Sequence, residues 1–264
     1  VDPVERESFS GMDPGALVDA VDHGERIPLA PVGLNENIRG GMLRGHHALL
    51  FGQNEVGKSL FAINALVAAC RANYRGGYWE NEDPIVATQL RAACCASYST
   101  EEQVKAGGKR RRKALEQAGW YHRMFFRDSA GGTLYDIDKW VGDFQLDFIV
   151  VNQLRNIQVK SENRVLELET ISKGLRAIAK SRNIAVLSVT QAADSGFNKR
   201  VLQMGDVDWS NVGVQAACDL MIGFGTDDLL ESQNQRMLSL CKNKLGRTHD
   251  PVLVGVDIER SLII

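Results

Sequence analysis

The chain has 264 residues, 44% of them hydrophobic and 24% charged, which is ordinary globular composition and sufficient for one large α/β domain or two small ones. A net charge of −2 excludes a uniformly basic nucleic-acid binder, so any such contact must come from a local patch. There is no apolar run of about 18 residues and no signal peptide, so neither a membrane span nor export is expected. The five cysteines, Cys70, Cys94, Cys95, Cys218 and Cys241, lack zinc-knuckle spacing and read as the free thiols of a cytosolic protein. The sequence opens at Val1 rather than at methionine, so it is expected to be a piece of a longer chain.

Residues 1–39 read as an N-terminal arm or linker. Asp13 caps a short helix that begins at Pro14 and carries Leu17, Val18 and Val21 on one stripe, and "IPLAP" then breaks it. From residue 40 to 264 the texture is that of one domain. An apolar strand, Ala48 to Phe51, runs into "GQNEVGKS" and then into the helix-period run "LFAINALVAACRA". Strand, glycine loop with G-x-x-x-x-G-K-S, helix is a P-loop in its required context. Gly52 and Gly57 let the backbone of Gln53, Asn54, Glu55 and Val56 curl so that successive N–H groups meet phosphate oxygens. The helix adds its positive N-terminal end. Lys58 is suited to the β- and γ-phosphates and the Ser59 hydroxyl to magnesium.

The remainder alternates strand and helix. "GGYWENE" is a second strand with "PIVATQLRAACCASY" as its helix, and "GWYHRMFFRDS" holds a third strand. "LDFIVVNQ" is a fourth, apolar enough to be buried on both faces. The helix "VLELETISKGLRAIAKS" follows, with Leu168, Ile171, Leu175 and Ile178 on one stripe. "IAVLSVTQ", Ile184 to Gln191, is a fifth strand, "CDLMIGFG" and "MLSLCKNK" are further ones, and "DPVLVGVDIERSLII" is a closing hairpin. The pattern predicts a mainly parallel sheet with helices on both faces. The run "KRRRK", Lys109 to Lys113, is either a solvated helix face or a contact for nucleic acid or a partner.

In this order, "GQNEVGKS", "NEDP" with Arg91 nine residues past Glu82, "DFIVVNQL", "ENRVLELETISKGLRAIAKSRNIAVLSVTQ", "GDVDWSNVGVQAACDLMIGF" and "LCKNKLGRTHDPV" resemble the RecA-like ATPase domain of the DnaB-type hexameric replicative helicases, in their phage versions. RecA-like recombinases and KaiC-like ATPases are neighbours. The resemblance implies a RecA-like P-loop core with ATP and Mg2+ as cofactors, and an ATP-driven translocase on single-stranded DNA that acts as a homo-hexameric ring. It also implies a primase or loader as partner and a place in the cytoplasm of a bacterium or a phage-infected host. A RecA-like recombinase, or a regulatory DNA-binding ATPase with weak hydrolysis, is the alternative.

By the same resemblance, a glutamate at the end of the second strand polarises the attacking water. The nine-residue spacing to Arg91 selects Glu82, and strand alternation keeps Glu80 as a second candidate. Gln191 contacts the γ-phosphate, and Arg91 and Arg247 join the nucleotide site. Asn152 stands where the family has an aspartate that holds the metal's water shell with Ser59. An Asn152→Asp change would therefore be expected to raise turnover. Lys242 and Lys244 stand in place of a Lys-x-Arg pair that serves the neighbouring subunit's site, although lysine lacks arginine's fork. The loops after the fourth and fifth strands face DNA, through Arg155 and Lys160 in one and Asn198, Lys199 and Arg200 in the other.

Overall fold

The computed structural model describes residues 13, 15, 24–160, 163–208, 212–246 and 248–264. The helix expected from Pro14 falls outside the described residues, as does Arg247. Arg26–Ile27 (β1) pairs antiparallel with Met42–Leu43 (β2), and the helix Val32–Asn37 (α1) lies between them in the chain. Ile27, Leu29, Leu34 and Ile38 are fully buried in the same cluster as the central strands, so residues 26–38 form part of the core.

The main sheet is built from His47–Gly52 (β3), Gly76–Glu80 (β4), Met124–Asp128 (β5), Phe148–Asn152 (β6), Ala185–Gln191 (β7), Leu220–Gly225 (β8), Gln235–Asn243 (β9), Val252–Asp257 (β10) and Leu262–Ile263 (β11). Their order across the sheet is β11-β10-β9-β8-β3-β7-β6-β4-β5. The six strands from β8 to β5 are mutually parallel, while β9, β10 and β11 each run antiparallel to their neighbour. This is the expected mainly parallel α/β sheet with a C-terminal hairpin.

Alternation along the central strands divides the core in two. Phe148 and Val150 join a cluster with Phe61, Ile63 and Leu66 of the helix Lys58–Arg71 (α2), whereas Ile149 and Val151 face the other way. There they meet Ile137 and Trp140 of the helix Leu134–Phe144 (α3) and the stripe Leu168, Ile171, Leu175 and Ile178 of Arg164–Arg182 (α4). Helix α3 was not expected from the sequence. It begins at a reciprocal cap in which Thr133 and Asp136 satisfy each other's backbone N–H groups. It approaches α4 closely enough that a Cβ on Gly174 would lie 2.4 Å from Leu134 Cδ1. Ile85–Ser97 (α5) follows β4, and Gly108–Gln117 (α6) carries Lys109, Arg112 and Lys113 on a solvent-exposed face.

Register fixes where the strands stop. Gly52 pairs with Gln191 and with Phe224, and Glu80 pairs with Asn152. The ends of β3, β4, β6, β7 and β8 therefore share one edge, the place where open parallel sheets bind ligands. Leu175 is fully buried within the α4 stripe. Leu175→Ala should lower the unfolding free energy by about 2–5 kcal/mol, read from urea denaturation followed by far-UV circular dichroism.

Candidate active site

The loop after β3 is shaped by backbone constraints. A Cβ at Gly52 would lie 2.4 Å from the carbonyl oxygen of Phe224, so β3 and β8 can close here only around glycine. Gly57 has φ +105°, a left-handed conformation that lets the loop turn directly into α2. Lys58, the first residue of that helix, is 8% exposed and donates its ammonium to the Gln53 carbonyl oxygen at 2.8 Å. Burial lowers its pKa to about 8, against the opposing pull of the Glu82 carboxylate, and the Arg155 charge lowers it further.

A cleft of about 610 Å³ opens over this loop. Asn54, Glu55, Val56, Gly57, Lys58 and Ser59 form its floor, and Glu82, Asp83 and Arg91 come from the turn after β4 and from α5. Gln153 follows β6, Gln191 ends β7, and Arg236 comes from the start of β9. Gln53 does not line the cleft: its carbonyl oxygen accepts from Lys58 and its side chain donates to the Ala193 carbonyl. Arg91 is tied to Asp83 at 3.0 Å.

The two glutamate candidates separate. Glu82 lines the cleft and its Oε1 accepts from Gln153 Nε2. Glu80 is fully buried behind the turn and does not line the cleft. Its carboxylate accepts from Thr88 Oγ1 at 2.6 Å and from the backbone N–H groups of Glu82 and Asp83 at 3.0 and 3.2 Å. The expectation that alternation keeps both on one side is corrected. The strand ends at Glu80, and the turn that begins at Asn81 sets the direction of Glu82. Burial pushes the Glu80 carboxyl upward, and the three hydrogen bonds oppose it.

Asn152 is likewise fully buried and off the cleft surface. Its Nδ2 donates to Glu80 Oε1 at 3.3 Å, while its Oδ1 is a buried acceptor without a protein partner, as is Gln153 Oε1. Among the described residues no cluster of three His, Cys, Asp or Glu could hold a metal ion. The donors that do face the cleft, the Ser59 hydroxyl and the Glu82 and Asp83 carboxylates, are the hard oxygens that magnesium takes alongside phosphate.

The family described as AAA domain matches residues 17–196. This chain belongs to the AAA domain family. Its fold is that of the ATPase domains of DnaB-type helicases. A structure of a DnaB-like replicative helicase, described with its interactions with primase, is similar at 17% identity with a TM-score of 0.79. That alignment covers 96% of this chain and 67% of the helicase. The ATPase domain of G40P is similar at 16% identity and a TM-score of 0.81, over 100% of this chain and 99% of that one. No curated protein matches the sequence.

Elsewhere in the chain, the cations assigned to DNA are mostly engaged. Arg155 pairs with Asp208 at 2.7 Å, Lys199 with Asp206 at 2.6 Å, and Arg200 with Asp227. Asn198 Oδ1 accepts from the Asp228 N–H, and Lys160 lies exposed. Asp206 is held below the usual carboxylate range. Burial pushes it up, but hydrogen bonds from Lys199, the Gln203 N–H and Ser195 outweigh that. These side chains pin the loop after β7 to the body of the domain. Lys242 and Lys244 lie at the opposite edge of the sheet from the P-loop, where Lys242 pairs across from Met221 and Lys244 meets Asp219 at 3.5 Å. They cannot reach the cleft of their own chain.

Arg236 is the cation that sequence reasoning missed. It is 5% exposed, and its Nε donates to the Val56 carbonyl at 3.1 Å. A single arginine at the start of a strand carries no motif, so only the β8–β9 pairing reveals that it joins the loop. Lys58 supplies a pH test. A bound polyphosphate favours the charged amine and raises its pKa above about 8, so binding takes up a proton at higher pH. ATP affinity should be flat below pH 7.5 and weaken roughly tenfold between pH 7 and 9, measured by fluorescent-nucleotide titration.

Proposed function

We propose that this AAA domain binds and hydrolyses ATP with Mg2+, and that the hydrolysis drives a ring-forming replicative helicase along single-stranded DNA. The observation that carries this reading is the convergence of Lys58, Glu82 and Gln191 on one cleft from three different strand ends. Each has a role that its position permits. The desolvated Lys58 ammonium and the N–H groups of residues 54–59 neutralise the phosphate chain. Glu82, free of backbone duties and steadied by Gln153, accepts the proton of the attacking water and orients it. Gln191, an amide at the root of the loop after β7, donates to phosphate and links its presence to that loop. Magnesium, when bound, supplies positive charge to the β- and γ-phosphate oxygens. Ser59 would be its protein ligand, and the Asn152 Oδ1, buried behind the cleft surface without a protein partner, would orient its hydration from there.

The same geometry supports the ring of this reading. The Lys242 and Lys244 ammonium groups lie far from their own cleft, so any charge that they contribute in the transition state goes to a neighbouring copy. In the ring, the loops after β6 and β7 face DNA and Lys160 provides a free phosphate contact. A primase or a loader is the partner protein of this reading, which is supported by the resemblance to a helicase described with its interactions with primase.

Two variants test these assignments. Lys58→Ala removes charge-assisted contacts worth about 1.5–3 kcal/mol each, so ATP affinity should fall roughly 10- to 100-fold while the circular dichroism spectrum is kept. Affinity equal to the parent would remove the cleft from the nucleotide site. Lys160→Ala should reduce the slope of log affinity for single-stranded DNA against log salt by about 0.7. An unchanged slope would move the DNA path off this loop.

A further inference from the structure

The ends of β4 and β6 carry an arrangement of which the reaction above uses only the Asn152 Oδ1. Glu80 and Asn152 are register partners on adjacent strands, and both are fully buried. Glu80 Oε1 accepts from Asn152 Nδ2 at 3.3 Å and from the N–H groups of Glu82 and Asp83, and Oε2 accepts from Thr88 Oγ1. A carboxylate has about four acceptor positions, and here four donors meet it, three at Oε1 and one at Oε2. The lacing continues beside it. The Asn81 N–H donates to the Asn152 carbonyl at 2.9 Å, and Asn81 Nδ2 donates to the Gln153 carbonyl at 3.0 Å. The turn that delivers Glu82 to the cleft is therefore held by one buried carboxylate and by Asn81, and residue 152 supplies one of the carboxylate's donors.

We propose that Glu80 and Asn152 form a carboxylate–amide clamp that positions Glu82, and that the residues at 80 and 152 are interdependent. The inference rests on Glu82 being the group that orients water. Donation from Nδ2 to Glu80 leaves Oδ1 as the amide's remaining acceptor, turned away from Glu80. An aspartate at 152 cannot donate. It would set a second buried carboxylate about 3.3 Å from the first, where two charges disfavour each other strongly. The gain in turnover that a metal-site argument alone expects from Asn152→Asp is thus reversed. While Glu80 is present, Asn152→Asp loosens the turn and slows hydrolysis. Glu80 and Asn152 act through Glu82 and are positioning residues.

The test has two arms. The first uses the protein without nucleotide or metal. Asn152→Asp should lower the thermal midpoint, and the loss should shrink by roughly half or more in the Glu80→Gln background, because the charge conflict is gone. Equal losses in both backgrounds, or no loss in either, overturn the clamp. The second arm measures turnover and ATP affinity. Glu80→Gln should reduce kcat roughly tenfold to a hundredfold with ATP affinity unchanged. In a Glu82→Gln background the same change should have no further effect on kcat. Independent, multiplying losses would mean that Glu80 does not work through Glu82. Should Glu80→Gln fail to fold, Thr88→Val, which removes one of the four donors, takes its place in the second arm. In the first arm Asn152→Leu, which removes the amide donor without adding a charge, should then lower the midpoint less than Asn152→Asp does, and an equal or larger loss overturns the clamp. If the parent hydrolyses no ATP, the proposed function fails, and the first arm still decides the clamp.

Discussion

The parallel pairing of β3 between β7 and β8 is the constraint on which the rest of the domain depends. Those strands are buried on both faces, so a shift of one residue would exchange the side chains of the two core clusters. Register is therefore set by burial, and it places Gly52, Gln191 and Phe224 side by side. The P-loop can close because Gly52 has no Cβ to strike the Phe224 carbonyl. Everything chemical in the cleft is hung from that edge.

Electrostatics in the cleft follow from the same burial. Lys58 is desolvated by the loop that surrounds it, which makes its ammonium costly to keep charged until an anion arrives. Arg91 and Arg236 are paired with Asp83 and Glu231, so the cleft is not a reservoir of loose positive charge. Most of the cations on the loops after β6 and β7 are likewise paired with Asp206, Asp208 and Asp227. Such pairing gives the loops a defined shape at the expense of free charge, and it is consistent with a net charge of −2 on the whole chain.

Negative charge is handled with equal economy. Glu82 and Asp83 face the cleft from the turn after β4, and Glu80 holds that turn from behind. An amide at the end of β6 fits this distribution, since a further carboxylate there would stand against Glu80 without a donor between them. Asn152 is therefore read in the light of its neighbour on the next strand, and the position is not simply a degraded metal ligand.

The sequence by itself determined the parallel α/β sheet, the closing hairpin and the P-loop. Those depend on local signals: apolar runs, a 3.6-residue stripe on α4, and glycines at fixed spacing around Lys58 and Ser59. The resemblance to the DnaB-type helicases also singled out Glu82 over Glu80 through the nine residues to Arg91, although strand alternation pointed to both. Tertiary structure alone decided that Glu80 turns inward, that Arg236 and Gln153 join the cleft, and that Lys199 and Arg200 are bound to acids seven and twenty-seven residues further along. It alone shows that Lys242 and Lys244 lie at the far edge of the sheet. The physical reason is common to all of these. A side chain's role is set by the partner that reaches it across the sheet or around a turn, and pairing between strands far apart in sequence leaves no periodicity in either one.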